Sequence, residues 1–77
     1  MNLMIHIKEV RQQGYLSQQD FAEEIGVSFS TISRWENGKA IPNYQAMKKL
    51  VEYCKKLNID YKPMEKEWKK VKNSNSN

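Results

Sequence analysis

The chain's 77 residues and 39% hydrophobic content leave room for one domain with an economical core, and the single cysteine, Cys54, excludes an internal disulfide and fits a reducing compartment. The amino terminus lacks a basic flank followed by a long apolar run and no stretch has membrane length, so neither a signal peptide nor a membrane span is expected and the location is read as cytoplasmic. The net charge of +4 is divided unevenly, three basic residues against five acids through Gly38 (−2) and ten lysines against four acids beyond it (+6), a balance that suits a polyanionic partner as readily as a solvated lysine face.

Five helices are predicted. Residues 4–13 place Ile7, Val10 and Arg11 on one helical repeat, and Gly14 is expected to end it. Ser17 starts a second helix: its hydroxyl is positioned to accept the Asp20 amide, and the Asp20 carboxylate suits the positive first turn. Phe21, Ala22 and Ile25 share a face, and Gly26 stops the helix in the left-handed region. Ser28 caps a third helix over residues 29–36, with Ile32 and Trp35 pointing inward. Asn37-Gly38 is a turn signal. Pro42 and Asn43 lead into a fourth helix whose apolar stripe is Met47, Leu50, Val51, Cys54 and Leu57. After a break over residues 60–63, a last helix runs from Pro63 to about Val71. Residues 72–77 are expected to be a disordered tail. Met4 and Met47 read as core fillers, Cys54 as a small buried residue and His6 as a surface or helix-terminal residue. The domain is therefore placed over residues 1–71, as an all-α bundle.

The third helix is unusual in what it leaves outside. With Ile32 and Trp35 buried, the outer face carries Phe29, Ser30, Ser33 and Arg34. An ordinary solvated helix carries Glu and Lys there. Small polar residues near a helix start let its backbone approach the major groove of DNA. Arg34 has the fork that fits guanine O6 and N7, Phe29 an apolar ring for a thymine methyl, and the two serines hydroxyls for base edges or phosphates. Gln18, near the start of the preceding helix, reaches a phosphate in such a pose, and Ser28, at the start of the third, is a further phosphate candidate. Each of these has a plainer reading as well: Phe29 as an edge-of-core residue, Arg34 as a solvated arginine, Trp35 as core and not a stacking platform. Lys48, Lys49, Lys55 and Lys56 suit phosphates or solvent equally.

The stretch LSQQDFAEEIGVSFSTISRWENGKAIP resembles the Cro/phage-repressor-like (Xre-type) helix-turn-helix family. The marks are Gln18, Ala22, Gly26, Val27, Ile32, Glu36, Asn37, Gly38 and Pro42, with Arg11 where the family has an arginine in its first helix. The resemblance covers residues 3–59. It implies a lambda-repressor-like five-helix bundle with the second and third helices as the helix-turn-helix. By the same resemblance, Gln18 binds a phosphate and braces the recognition helix, Phe29, Ser30, Ser33 and Arg34 face bases or flanking phosphates, and Asn37 and Lys39 hold phosphates. Arg11 and Glu36 form a structural pair. Two positions depart from the family: Cys54 stands for a leucine, with the fourth helix running on to Leu57, and Phe29 stands where relatives carry a polar base reader.

The expected partner is double-stranded DNA, read by a transcriptional regulator, with repression the expected sign. Met64, Trp68 and Val71 recur at helical spacing. They pack on the core, form a homodimer or, in an antitoxin-like alternative, bind a different protein. No enzyme is expected, since the chain has no Cys/His pair, carboxylate pair or glycine-rich phosphate loop. No metal, cofactor or small-molecule ligand is expected either; His6 has no second ligand nearby.

Overall fold

A computed structural model describes residues 3–74. Among them are five helices and no strand: α1 (Leu3–Gln13), α2 (Gln18–Ile25), α3 (Phe29–Glu36), α4 (Tyr44–Leu57) and α5 (Lys62–Ser74). The side-chain caps fall where the sequence places them. Ser17 Oγ accepts the Asp20 amide at 3.1 Å and Ser28 Oγ the Thr31 amide at 3.1 Å. Asn43 Oδ1 accepts the Ala46 amide at 2.9 Å and starts α4. Each such cap stabilises its helix by about 1 kcal/mol.

The first four helices end in one and the same way. In each, an amide two or three residues past the helix reaches back to a carbonyl five residues earlier: Leu16 to Arg11, Val27 to Ala22, Lys39 to Arg34 and Ile59 to Cys54, at 2.8–3.4 Å. The residue between must be left-handed. Gly26 (φ 82°), Gly38 (φ 74°) and Asn58 (φ 62°) suit that conformation, whereas Tyr15 (φ 58°) does not. Gly14 does end α1, as expected, and the left-handed residue is Tyr15, one position further on. Gly14 is needed for another reason: a Cβ there would run into the Tyr53 hydroxyl.

The core is built from Leu3, Ile7 and Val10 of α1, Phe21, Ala22 and Ile25 of α2, Ile32 and Trp35 of α3, and Ala46, Met47, Leu50, Tyr53 and Cys54 of α4. Phe21 and Tyr53 meet edge to face, ring centroids 5.4 Å apart. Two expectations for side chains fail. Leu57 is 46% exposed, because it is the last residue before the Asn58 turn, and the buried Ile59 takes the place it was assigned. Met4 is half-buried, with its sulfur close over Gly38.

Helix α5 starts one residue before Pro63 and runs to Ser74, so residues 72–74 are helical and not part of a disordered tail. Residues 75–77 of that expected tail lie outside the described residues. The extension has a physical reason. Lys72 Nζ lies 5.1 Å from the Tyr44 ring centroid and 5.6 Å from that of Trp68, which ties the last turns of α5 to the start of α4. Met64 and Trp68 are buried in this chain's own core, with Val71 packed at its margin. The Trp68 indole N–H donates to the Pro42 carbonyl at 2.7 Å, and the ring meets Tyr44 edge to face. The homodimer surface expected at Met64, Trp68 and Val71 is therefore corrected: two of its three anchors are enclosed by the fold. The same burial withdraws this apolar stripe from the antitoxin-like alternative, which placed its partner surface on the last helix.

Candidate nucleic-acid interface

Helix α3 is short, and two side chains fix it to the core: Ile32, fully enclosed, and Trp35. Ala22 of α2 is small and buried, and its carbonyl accepts the amides of both Gly26 and Val27, which folds the chain sharply between α2 and α3. The third attachment is ionic. Glu36, at the end of α3, accepts Arg11 Nε at 2.7 Å and Arg11 Nη2 at 2.9 Å, and Gln18 Nε2 at 3.0 Å. Arg11 Nη1 donates to the Leu16 carbonyl at 3.0 Å. Burial works against the Glu36 charge, but the hydrogen bonds from Arg11 and Gln18 and the Arg11 charge outweigh it and hold the carboxyl below its ordinary value. The guanidinium is correspondingly held above its own ordinary value by the hydrogen bond to Glu36, against the effect of burial. The Arg11–Glu36 pair and the bracing role of Gln18 are thus both present.

The opposite side of α3 faces solvent. Phe29 is 48% exposed, and Ser30 and Arg34 are exposed. The Arg34 guanidinium has no hydrogen bond or ion pair to any other described residue. Ser33 is half-buried, and its hydroxyl accepts Asn37 Nδ2 at 3.3 Å. Ser28 Oγ lies 2.9 Å from Thr31 Oγ1 and 3.5 Å from Ser30 Oγ, besides capping the helix, so its oxygen is already engaged within the chain. Asn37 and Lys39 are exposed in the turn after α3. Of the eight candidates, Phe29, Ser30, Arg34, Asn37 and Lys39 are open to a partner. Gln18 and Ser33 are half-buried and hydrogen-bonded.

Beside Arg34 runs a groove of ≈ 400 Å³ between α3 and the start of α4. Thr31, Arg34, Asn43, Gln45 and Lys49 supply its polar rim over an apolar floor that includes Ile41. Lys49 Nζ lies 3.4 Å from where a Cβ on Gly26 would stand, so it reaches from α4 to the turn between α2 and α3. Sequence reasoning left Lys49 undecided and passed over Thr31 and Gln45. A signal existed, since Gln45 and Lys49 are four apart on the polar side of a strongly amphipathic helix.

No helix among the described residues is long and apolar enough to cross a membrane. The chain is 38% identical over 42 residues to a protein of Enterococcus faecalis named HTH-type transcriptional activator BcrR; the match takes in 54% of this chain and 21% of that protein. The chain thus spans about a fifth of the length of this curated relative. No solved structure matches it significantly. The Helix-turn-helix family model matches residues 7–62, well over half of the chain. With α2 and α3 in the expected arrangement and Arg11, Gln18 and Glu36 locked together behind them, the chain belongs to the Cro/phage-repressor-like helix-turn-helix family.

Proposed function

We propose that the chain is a sequence-specific DNA-binding transcriptional regulator that lays α3 in the major groove. The observation that carries this reading is the division of α3: Ile32, Trp35 and Glu36 are held by the fold, while Phe29, Ser30 and Arg34 face outward and the Arg34 guanidinium has no partner among the described residues. In this pose Arg34 forks onto guanine, Phe29 covers a thymine methyl, and Ser30 and Ser33 bond base edges or adjacent phosphates. Lys39 and Asn37 grip the backbone on one side, and Gln18 and Ser28 meet it at the starts of α2 and α3. Lys49 extends the grip along the groove beside Arg34. The setting is the cytoplasm, and no catalytic step is involved.

Repression is the sign we assign, because occupancy of the groove excludes other proteins without any further surface. The Enterococcus relative is named an activator. A reporter whose expression rises when the chain is produced overturns the sign and leaves the DNA reading intact.

The test of the reading itself is selection of bound duplexes from a random pool. A recovered motif with two-fold symmetry reports a homodimer with half-sites ~34 Å apart or a multiple of that. A single block reports a monomer. With the recovered site in hand, Arg34→Ala is expected to weaken specific binding by roughly 1–3 kcal/mol and leave unrelated duplexes nearly unaffected. Lys39→Ala is expected to weaken all duplexes alike and to reduce the salt dependence. No enrichment in the pool, or equal loss on every sequence for Arg34→Ala, overturns the reading.

A further inference from the structure

Tyr15 occupies a conformation that favours glycine, and no described residue compensates it with a side-chain contact. Its φ is 58°. The three equivalent helix ends use Gly26, Gly38 and Asn58, which suit the left-handed region far better. Its side chain is 96% exposed and makes no hydrogen bond or ring contact with any described residue. Moving the glycine from position 14 to 15 would not remedy this, since the Tyr53 hydroxyl leaves no room for a Cβ at Gly14. A strained residue retained without internal benefit points to a contact made outside the chain.

Its surroundings indicate which contact. Residues 12–19 read QQGYLSQQ, eight positions without a charge in a chain that is 29% charged. Gln12, Gln13, Ser17 and Gln19 are all exposed around the start of α2. This is a neutral polar patch, in which Ser17 Oγ caps α2 and Gln19 Nε2 lies 3.4 Å from Glu23 Oε2, and it is contiguous with Gln18, which the function proposed above brings to a phosphate. We infer that Tyr15 is a further contact to the sugar–phosphate backbone of the bound duplex, its hydroxyl donating to a phosphate oxygen just outside the edge of the helix-turn-helix. The inference rests on that proposed function.

Neutral donors release no counterions, so this contact has a signature that a lysine lacks. Tyr15→Gly, with Tyr15→Asn as a second left-handed variant, should melt at a higher temperature than the parent. Both should bind a labelled mixed-sequence duplex several turns long roughly 3- to 10-fold more weakly, with the slope of log affinity against log salt unchanged. Tyr15→Phe should lose affinity to a similar degree without gaining stability. More stable variants with parental affinity overturn the inference while the parent still binds. A parent that binds no duplex overturns it together with the reading it rests on. A change in oligomeric state without any change in DNA affinity reassigns Tyr15 to a contact between copies and likewise overturns it.

Discussion

Arg11 and Glu36 stand 25 residues apart in sequence, and their side chains meet through two parallel hydrogen bonds, Nε to Oε2 at 2.7 Å and Nη2 to Oε1 at 2.9 Å. The pair fastens the end of α3 to α1, and the third bond to Glu36, from Gln18, adds α2. Both side chains are largely enclosed, which makes an unpaired partner costly. Glu36→Gln is expected to destabilise the fold by about 2–4 kcal/mol, because it strands the Arg11 charge. The pair also sets an acid limit. The folded Glu36 carboxyl lies below its ordinary 4.5, so its contribution is fully present above that value and is lost as pH falls through the folded value. Melting temperature followed between about pH 7 and pH 3 should fall at the acid end, and the fall should be shallower in Glu36→Gln.

A thymine contact by Phe29 is open to a chemical test. Replacing thymines in the selected site by deoxyuridine removes only the methyl group. Parental affinity should drop by about 0.8 kcal/mol at the contacted position, and Phe29→Ala should be indifferent to the replacement. Equal sensitivity in parent and variant would show that the ring reads something else.

Tyr53 carries a buried hydroxyl with no hydrogen-bond partner among the described residues. Tyr53→Phe keeps the edge-to-face contact with Phe21 and removes an unsatisfied group. It should therefore be neutral or stabilising by up to about 1 kcal/mol. Gly14→Ala should be destabilising in the parent, since the new methyl meets that hydroxyl, and much less so in the Tyr53→Phe background. Denaturant midpoints for the four proteins of this cycle check both statements.

Trp68 joins α5 to the turn before α4 through the Pro42 carbonyl. Trp68→Ala should cost about 3–5 kcal/mol and release α5 first, visible as rapid amide exchange beyond residue 62. If Trp68 instead served an interface between copies, the loss would depend on protein concentration.

Burial pushes the Cys54 thiol up to about 11. At neutral pH the native protein should resist a thiol-specific reagent and react only on unfolding.

Much of this architecture was legible from short-range chemistry. Ser17, Ser28 and Gly26 announce their helix ends, and Ile32 and Trp35 mark the inward side of α3, because caps and periodicity depend only on neighbours in the chain. The errors arise where a distant residue decides. Gly14 was rightly read as the end of α1, but the left-handed Tyr15 beside it was not foreseen, and only Tyr53, far along the chain, explains why position 14 holds a glycine. The stripe Met64, Trp68 and Val71 fits a core or a partner equally well; Pro42 and Tyr44 decide it. Lys72 looked like part of a solvated tail until the two rings beneath it were placed. For the candidate site, Phe29, Ser30 and Arg34 were readable as the exposed face of α3, Ser33 proved half-buried, and the groove joining Arg34 to Lys49 required the placement of α4 beside α3.

The anchoring of α3 through Ile32, Trp35 and Glu36 separates two jobs along eight residues. Substitutions at Ser30 and Arg34 leave the packed side of the helix as it is, so their effect on folding should be small. Under the proposed reading, descendants of such a chain are then free to acquire new operators by altering a few outward letters, each step beginning from a molecule that already stands.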